Sequence, residues 1–446
     1  MKNSIDMLNG PLTRRIIQFA LPIVLTSIVQ QLFNSADTAI IGRYGEKGAL
    51  AAVGTNGETV AMLVSLSAGL AIGASVLASG LIGSGETAKI RRAVSTSVIA
   101  AMILGAALAV IGTFSAEPLL RLINTPAEIL PDACDYLRVY CLAVPFLTVY
   151  DFGAAVLRSC GDSKRPLAAL IVSGAVNVLL NLVFVIVCKM NVVGVGLATV
   201  IATALSAAIV LFWMIREPGD FKLTLRLFDT ACFVRIVCVG IPAALQGAVF
   251  CFANIFVQSC VNQFGADAVA GSAVAMTFEY FTYYAIISLG QAATTFISQN
   301  YAAGNYDRCK KTLGICLVLS FVSCSAMTVP LSVFCRQASS LFTSDPQEIE
   351  MSCLRIMLIL VFEPICSFYE IPAAAMRGVG WSALPAIETV AGTCLFRIAW
   401  VFTVFARFRD LHSLYIVFPI TWVVTSAMVG ASCFFVFRRI SKRRAL

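Results

Sequence analysis

The stretch Leu21 to Gly42, LPIVLTSIVQQLFNSADTAIIG, decides how the rest of this chain is interpreted. At about 1.5 Å per residue it is long enough to cross a bilayer as a helix. At 100° per residue, its polar side chains fall within an arc of roughly 120°. A carboxylate near the bilayer centre costs about 2.5–3.5 kcal/mol, so Asp37 should face protein or water. The stretch therefore predicts the wall of a polar cavity. A buried acid satisfied by neighbouring amides, or one near the interface, is the alternative. The polar residues on the arc are Ser27, Gln30, Gln31, Asn34, Asp37 and Thr38.

Composition places the whole chain in a membrane. Its 446 residues are 59% hydrophobic and only 13% charged, whereas a soluble domain carries about 25% charged residues. The net charge of +8 lies mostly in short connections between apolar runs, so it does not indicate nucleic-acid binding. The 16 cysteines lie mostly inside apolar runs without a CxxC motif, and His412 is the single histidine. We therefore expect neither a disulfide framework, nor a metal site, nor a cofactor.

Apolar runs predict an all-α integral membrane protein of twelve transmembrane helices. With both termini inside, 22 of the 32 Lys and Arg residues fall in inner connections and termini, which favours a cytoplasmic N-terminus and C-terminus. No signal peptide is expected before the first apolar run. The predicted helices span residues 16–40, 50–81, 94–114, 133–155, 167–187, 192–215, 234–262, 269–297, 312–334, 353–375, 384–405 and 413–437.

The chain repeats itself after a shift of 219–220 residues. The shift superimposes Pro22 on Pro242 and Asn34 on Asn254, and the best match lays RSCGDSKRP (158–166) on RGVGWSALP (377–385). Each half then has six helices, and an even number preserves direction across the membrane. We therefore predict two lobes related as parallel repeats with a cavity at their interface. The predicted N-lobe is 1–215, the cytoplasmic linker 216–233 and the C-lobe 234–446.

Three polar residues recur every fourth position on the fifth helix: Ser173, Asn177 and Asn181. They share one face, and buried amides in a membrane helix need partners. Asp37 is the nearest unmatched candidate in the same half. Spacing alone leaves open whether this is a structural hydrogen-bond cluster or a cation site.

Other charged residues within apolar runs each allow two interpretations. Asp151 and Glu370 are equivalent in the repeat, and each precedes an arginine by seven residues, so they either stabilise inner helix ends or face the cavity. Glu279 also lies in an apolar run. Arg397 is in the middle of the eleventh helix and is expected to pair with an acid. The candidates for that acid are Glu363, Glu370 and Glu388.

Small residues four apart in the second helix, Gly69 and Gly73, predict close packing against another helix. The run from Gly194 to Ala198 mimics a dinucleotide fingerprint, but it lies within an uncharged membrane run rather than at a strand–helix turn. The sequence lacks GxxxxGK[ST], HExxH and GxSxG motifs. These features argue against an ATPase or a hydrolase, and we do not expect an enzyme.

The run from Gly10 to Gly54 resembles the opening of the MATE family, the multidrug and toxic compound extrusion transporters, in their bacterial form. The Arg-x-x-Gly-x-x-x-x-Pro box in both halves and QNYAAGNYDRCKK (299–311) are also similar. The resemblance implies twelve helices in two lobes and export of drugs by antiport against protons or Na⁺. It also implies that Asp37 is the coupling carboxylate and Asn177 its partner.

Two departures from the family pattern concern this coupling. Some members carry a second acid where this chain has Asn181. Others place an acid in the middle of the seventh helix, where residues 247–254 read GAVFCFAN. Asp37 would therefore couple without a second carboxylate nearby.

We thus expect a monomeric antiporter in the plasma (inner) membrane that exports amphipathic, cationic small molecules. Asp37, Asn177 and Asn181 would bind the coupling proton or Na⁺. A flippase for a lipid-linked precursor is the alternative, but such proteins carry more cationic residues in the cavity, and here only Arg397 lies clearly in mid-membrane. The expected cavity residues are Gln31, Asn34, Asn254, Phe278, Glu279, Tyr283 and Glu370.

Overall fold

The structure, a computed structural model, describes residues 5–46, 48–122, 125–217, 219–224 and 227–442. This part of the chain contains twelve long helical segments, each named here by its position in the chain. They are α1 (Leu12–Tyr44), α2 (Gly57–Gly83), α3 (Ala88–Leu122), α4 (Leu130–Ser159), α5 (Lys164–Val187), α6 (Asn191–Arg216), α7 (Thr230–Phe264), α8 (Ala266–Ala302), α9 (Tyr306–Val333), α10 (Pro346–Gly378), α11 (Ala383–Phe408) and α12 (Leu411–Ile440). The prediction of an all-α membrane protein of twelve helices is confirmed.

Eleven of these helices, among the described residues, are long and apolar enough to cross a membrane. The remaining helix, α8, is 37 residues long but carries Asp267, Glu279 and many hydroxyl and amide side chains. Its polar composition lowers its mean hydropathy although its length is ample for a span.

Several helices depart locally from α geometry. The end of α5 is a π-helix from Leu182 to Val187, and α11 contains two π-helical segments, Val390–Leu395 and Val401–Phe405. Within α10 the segment Leu360–Cys366 is a 3₁₀-helix around Pro364, whose ring cannot donate a backbone hydrogen bond. Such segments within membrane helices often lie at functional sites.

The predicted second helix, 50–81, is two helices. A short helix, Ala49–Thr55, precedes α2, and Asn56 stands between them. The Asn56 Nδ2 donates to the carbonyls of Ala52 and, on α4, Ala133, so the break is anchored from the side. The apolar run continues through the break, which is why hydropathy alone predicts one helix.

Contacts group the chain into two compact units. Unit 1 holds Met1–Asp6 and Leu21–Ala248, and unit 2 holds Met7–Ala20 and Val249–Leu446. These units follow packing, whereas the predicted division at 1–215, 216–233 and 234–446 follows the sequence repeat. That division stays a prediction.

In unit 1, α2 and α7 pack with their backbones in close contact. A Cβ atom on Gly69 would lie 2.4 Å from the Cα of Ala244, and one on Gly73 would lie 2.1 Å from the carbonyl oxygen of Ile236. On the α7 side, a Cβ on Gly240 would lie 2.7 Å from the oxygen of Leu70. The glycine spacing on α2 therefore serves helix packing, as the sequence predicts.

The segment after α6 is fastened to α3 within unit 1. Arg91 donates to the carbonyl of Gly219 at 2.9 Å. The backbone amides of Thr224 and Asp229 donate to Ser95 Oγ and Thr96 Oγ1 at 3.2 and 3.0 Å. Polar residues at the start of α3 thus hold the connection that joins the two sequence repeats.

In unit 2, the QNYAAGNYDRCKK motif holds the segment Met7–Ala20. Asn300 and Arg308 both donate to the carbonyl of Met7, at 3.1 and 3.2 Å. Arg308 also reaches the carbonyl of Gly10, at 3.2 Å. Phe19 packs edge-on against Phe296 with ring centroids 5.6 Å apart.

Candidate functional site

The side chains of α1 and α5 meet at Asp37. Its Oδ1 accepts a hydrogen bond of 2.5 Å from Nδ2 of Asn181, and the same nitrogen lies 3.4 Å from Oδ1 of Asn177. We call these three residues the Asp37 cluster. Asn177 and Asn181 are buried because they lie one turn apart on the face of α5 that packs on α1. The sequence predicts that these residues share a face, and the structure brings them together.

In the described part of unit 1, Asp37 has no ion-pair partner, since no lysine or arginine forms an ion pair with it. Within the same part of the chain, Oδ1 of Asn181 is buried and has no hydrogen-bond partner. The cluster thus offers a carboxylate and a free amide oxygen in the membrane-embedded part of the chain, which are ligands suited to a proton or a hard cation.

Close packing brings α5 to α1 at this level. Gly174 lies one turn before Asn177, and a Cβ atom on it would come within 1.7 Å of Cε2 of Phe33. Ser173 points back into its own helix, since its hydroxyl donates to the carbonyl of Leu170. Of the three regularly spaced polar residues, only the two asparagines therefore belong to the Asp37 cluster.

Two predicted cavity residues lie beside Asp37 on α1. Gln31 is half-buried and Asn34 is exposed. Both lie on the polar face predicted from the sequence. Their contact with a substrate stays a prediction.

Unit 2 holds several of the other predicted cavity residues in fixed contacts. Arg355 of α10 makes a bidentate ion pair with Glu279 of α8, at 2.7 and 2.9 Å, and also donates to Ser272. Phe278 is buried and packs edge-on against Phe342, with ring centroids 5.4 Å apart. Sequence reasoning missed Arg355 because it lies near the edge of the predicted tenth helix.

Glu370 and Tyr283 also have partners within unit 2. Glu370 pairs with Arg377 two turns later on the same helix, at 3.3 Å. The hydroxyl of Tyr283 lies 3.4 Å from that of Tyr369. The pairing of Glu370 fits its predicted role at a helix end, and its role in a cavity stays a prediction.

Arg397 does not pair with any of the acids expected from the sequence. Glu370 binds Arg377, Glu363 accepts from Thr282, and Glu388 accepts from Ser432. The expectation of an Arg397 ion pair is therefore wrong for the described residues of unit 2. A long side chain such as arginine can reach several neighbouring residues. Helical spacing does not show which of them lie nearby, because it does not show how the neighbouring helices are rotated about their axes.

The groups around Arg397 are neutral instead. Its Nη1 donates to Oδ1 of Asn254 at 3.3 Å, and its Nε donates to Thr421 at 3.4 Å. The guanidinium carbon stands 4.1 Å from the ring centroid of Phe418 and 5.3 Å from that of Phe250. Asn254, predicted to face a cavity, is thus a neighbour of Arg397.

The loop between α4 and α5 contains the first copy of the repeated box. Arg165 is held by two acids, Asp162 at 2.5 Å and Glu217 at 2.6 Å. Gly161 adopts a left-handed conformation with φ of 85°. Its carbonyl accepts from the amide of Ile5 at 3.1 Å, so the box also anchors the start of the chain.

Comparison with known proteins gives one family. The family model named MatE matches residues 22–183 and 242–403. The two matches begin at Pro22 and Pro242, which the internal repeat also superimposes, so the repeat prediction is confirmed.

Curated relatives of nearly the same length carry transport names. The chain is 25% identical to "Probable multidrug resistance protein YoeA" of Bacillus subtilis (strain 168), covering 94% of this chain and 93% of that protein. It is 24% identical to "FAD transporter" of Shewanella oneidensis, covering 84% of this chain and 86% of that one.

Solved structures share the fold over almost the whole chain. An outward-facing multidrug resistance MATE family transporter of the MOP superfamily has a TM-score of 0.90 and 22% identity, with 99% of each chain covered. A MOP superfamily transporter from Pyrococcus furiosus, described as having a binding pocket of reverse polarity, has the same TM-score, identity and coverage. Because the family model matches most of the sequence, in both halves, this chain belongs to the MatE family, whose members are multi-span membrane transporters.

Proposed function

We propose that this chain is a multidrug efflux antiporter that exports amphipathic organic compounds in exchange for protons at Asp37. One observation carries the assignment of the coupling site: Asp37 is a membrane-embedded carboxylate bound by Asn181 and, among the described residues of unit 1, paired with no cation. An acid kept there at a cost of about 2.5–3.5 kcal/mol is expected to have a function.

The Asp37 cluster supports proton coupling by its hydrogen-bonding capacity. The amide of Asn181 donates to the charged carboxylate through Nδ2. When Asp37 is protonated, its hydroxyl becomes a donor, and Oδ1 of Asn181 is a buried acceptor without a partner in the described part of the chain. One amide can therefore stabilise both states of the carboxyl group without a second acid.

Na⁺ is the second coupling ion to test. It prefers oxygen ligands, and the cluster supplies the carboxylate of Asp37 and the amide oxygens of Asn177 and Asn181. The cluster holds a single carboxylate, so a bound Na⁺ would depend on neutral oxygens for the rest of its coordination. For this reason we place protons first.

Three features accompany this proposal. The exported compounds are amphipathic and cationic, a class that fits the polar face of α1 with its single acid, Asp37. The protein works as a monomer in the plasma (inner) membrane. Its termini are cytoplasmic, which the distribution of Lys and Arg along the sequence supports.

Transport in proteoliposomes tests the coupling. Rhodamine 123, a fluorescent cation, is measured under a pH gradient alone and then under a Na⁺ gradient alone. We expect the pH gradient to drive uphill transport in the wild type and Asp37→Asn to abolish it, because the amide keeps the size but does not titrate. Asp135→Asn, which removes an exposed acid from α4, is the matched control and should transport normally.

Two results would contradict this assignment. Uphill transport driven by Na⁺ but not by protons would identify Na⁺ as the coupling ion. Wild-type rates in Asp37→Asn would make Asp37 a structural acid.

A further inference from the structure

Arg397 is the most deeply buried charge in unit 2 without an acidic partner among the described residues. Its side chain is 1% exposed, and it lies in the short α-helical segment Phe396–Trp400 between the two π-helical segments of α11. Burying an arginine in this way is costly unless hydrogen bonds or an opposite charge compensate. The contacts of Arg397 show how little compensation the protein itself supplies.

Arg355 in the same unit is a buried arginine whose charge and hydrogen bonds are compensated, and it serves as the comparison. Its guanidinium makes contacts of 2.7 to 2.9 Å with Glu279 and Ser272. The two bonds of Arg397 are 3.3 and 3.4 Å, both to neutral groups, and its Nη2 has no partner within the described residues. Charge-assisted bonds are normally about 2.7–2.9 Å long, so Arg397 is held loosely.

The terminal nitrogens of Arg397, which form its fork, are buried and have unused hydrogen-bonding capacity. Thr421 accepts from Nε, the guanidinium nitrogen nearest the side-chain stem. Within the described residues, Nη2 has no hydrogen-bond partner, and Nη1 has only its long bond to Asn254. A carboxylate or phosphate binds arginine most favourably through two parallel bonds, and Nη1 with Nη2 forms such a pair.

The surroundings of the fork suit an aromatic anion. Phe250 and Asn254 lie one turn apart on α7, and both are only partly buried. Phe250 and Phe418 both lie close to the guanidinium, at 5.3 and 4.1 Å from its carbon to their ring centroids. A planar molecule entering beside Asn254 would find apolar rings and a two-point cationic group together.

We propose that Arg397 binds a negatively charged oxygen group, a carboxylate or a phosphate, on compounds that this transporter carries. The inference rests on the proposed transport function and extends its substrate class from cations to aromatic zwitterions and anions. Arg397 would recognise the anionic group, while the Asp37 cluster would carry the coupling ion. The π-helical segments on both sides would let the backbone around Arg397 adjust when an anion is bound.

Two matched dye pairs test the proposal with the purified full chain in detergent, where no gradient is needed. Rhodamine 110 carries a free carboxylate, and rhodamine 123 is its methyl ester. Flavin mononucleotide carries a phosphate that riboflavin lacks. Fluorescence titration gives the affinity for each compound, and the ratio within a pair isolates the anionic group.

We expect Arg397→Gln to weaken binding of rhodamine 110 by about tenfold or more and that of rhodamine 123 by less than threefold. Arg397→Lys keeps the charge but loses the fork, so it should fall between the wild type and Arg397→Gln. Arg407→Gln, which removes an exposed arginine at the end of α11, is the control and should match the wild type. A loss confined to flavin mononucleotide, with riboflavin unchanged, would identify phosphate as the recognised group.

The proposal is overturned if Arg397→Gln binds both members of each pair as the wild type does. It is also overturned if the wild type binds neither rhodamine 110 nor flavin mononucleotide. If Arg397→Gln does not yield monodisperse protein, the ratios measured with Arg397→Lys decide in the same way. Failure of the coupling proposal is seen separately, as loss of gradient-driven rhodamine 123 transport with these binding ratios intact.

Discussion

Phe33 of α1 packs against Gly174 of α5 so closely that a Cβ atom on the glycine would lie 1.7 Å from the Cε2 of the ring. Two turns further along α5, Asn181 binds Asp37, and Asn177, one turn after the glycine, lies within 3.4 Å of Asn181. The glycine therefore sets the distance between the two helices near the level where Asn181 binds Asp37.

Gly174→Ala should displace the Phe33 ring and separate α1 from α5. Overpacking of this kind costs typically about 1–3 kcal/mol, and we expect uphill transport to fall with it. Thermal unfolding in detergent and proteoliposome transport measure the two effects. Phe33→Ala in the same background makes room for the new methyl group and should restore part of the stability and of the transport. If neither recovers, the contact between Phe33 and Gly174 is not the cause of the loss.

Asn181 should matter more than Asn177 for coupling. Asn181→Leu removes the 2.5 Å hydrogen bond to Asp37, whereas Asn177→Leu removes only the 3.4 Å contact within α5. We expect pH-driven transport of rhodamine 123 to drop about tenfold or more in the first variant and by a smaller factor in the second. Equal losses in the two variants would show that the amides act only by filling space.

The ion pair between Glu279 and Arg355 should be structural. Removing one partner of a buried pair leaves a charge without compensation, so Arg355→Gln is expected to cost about 3–5 kcal/mol of stability. The double variant with Glu279→Gln removes both charges and should regain much of that loss. Thermal unfolding and transport are measured on all three proteins. Loss of transport in a stable double variant would instead support the predicted role of Glu279 in the substrate cavity.

Gly161, in the loop before α5, and Gly85, in the loop between α2 and α3, form a matched pair of variants. Both have positive φ, at 85° and 72°, but a Cβ on Gly161 would lie 2.4 Å from the oxygen of Ile5, whereas Gly85 has open space around it. Gly85→Ala should cost about 1–2 kcal/mol from backbone strain alone. Gly161→Ala should lower the melting temperature further, because it also detaches the segment at Ile5. Equal shifts would mean that the contact with Ile5 contributes nothing.

Loss of that contact can be observed directly. A protease should cleave the segment around Ile5 faster in Gly161→Ala than in Gly85→Ala. Similar rates in the two variants would argue against anchoring by the repeated box.

The helices and the shared face of Asn177 and Asn181 follow from sequence patterns because each depends on local spacing. A run of apolar residues predicts a membrane helix, and Asn177 and Asn181 must share a face because they are four residues apart. Asp37 is expected near them because an acid in a membrane helix needs polar neighbours. The shared face of the asparagines requires no knowledge of how helices are arranged. The pairing of α5 with α1 does require it, and it was expected from the resemblance to the MATE family.

The contacts of Arg397 and Arg355 could not be predicted in the same way. Each joins residues on different helices, and the partner depends on how those helices are rotated about their axes. Glu279 was therefore expected in a cavity although it binds Arg355, and Arg397 was expected to bind an acid although its neighbours are Asn254 and Thr421. The break at Asn56 was missed because the residues on both sides are equally apolar.

The π-helical turns of α5 and α11 bear on the history of the chain. Leu182–Val187 and Val401–Phe405 correspond under the shift of 219–220 residues that relates the two halves. A π turn contains about one more residue than an α turn. Insertion of one residue into an α-helix can therefore produce it. One insertion in a single ancestral half, made before that half was duplicated, explains both turns. The widened turns would then be older than the twelve-helix protein. They would also be older than the difference between Asn177 in one half and Arg397 at the matching position of the other.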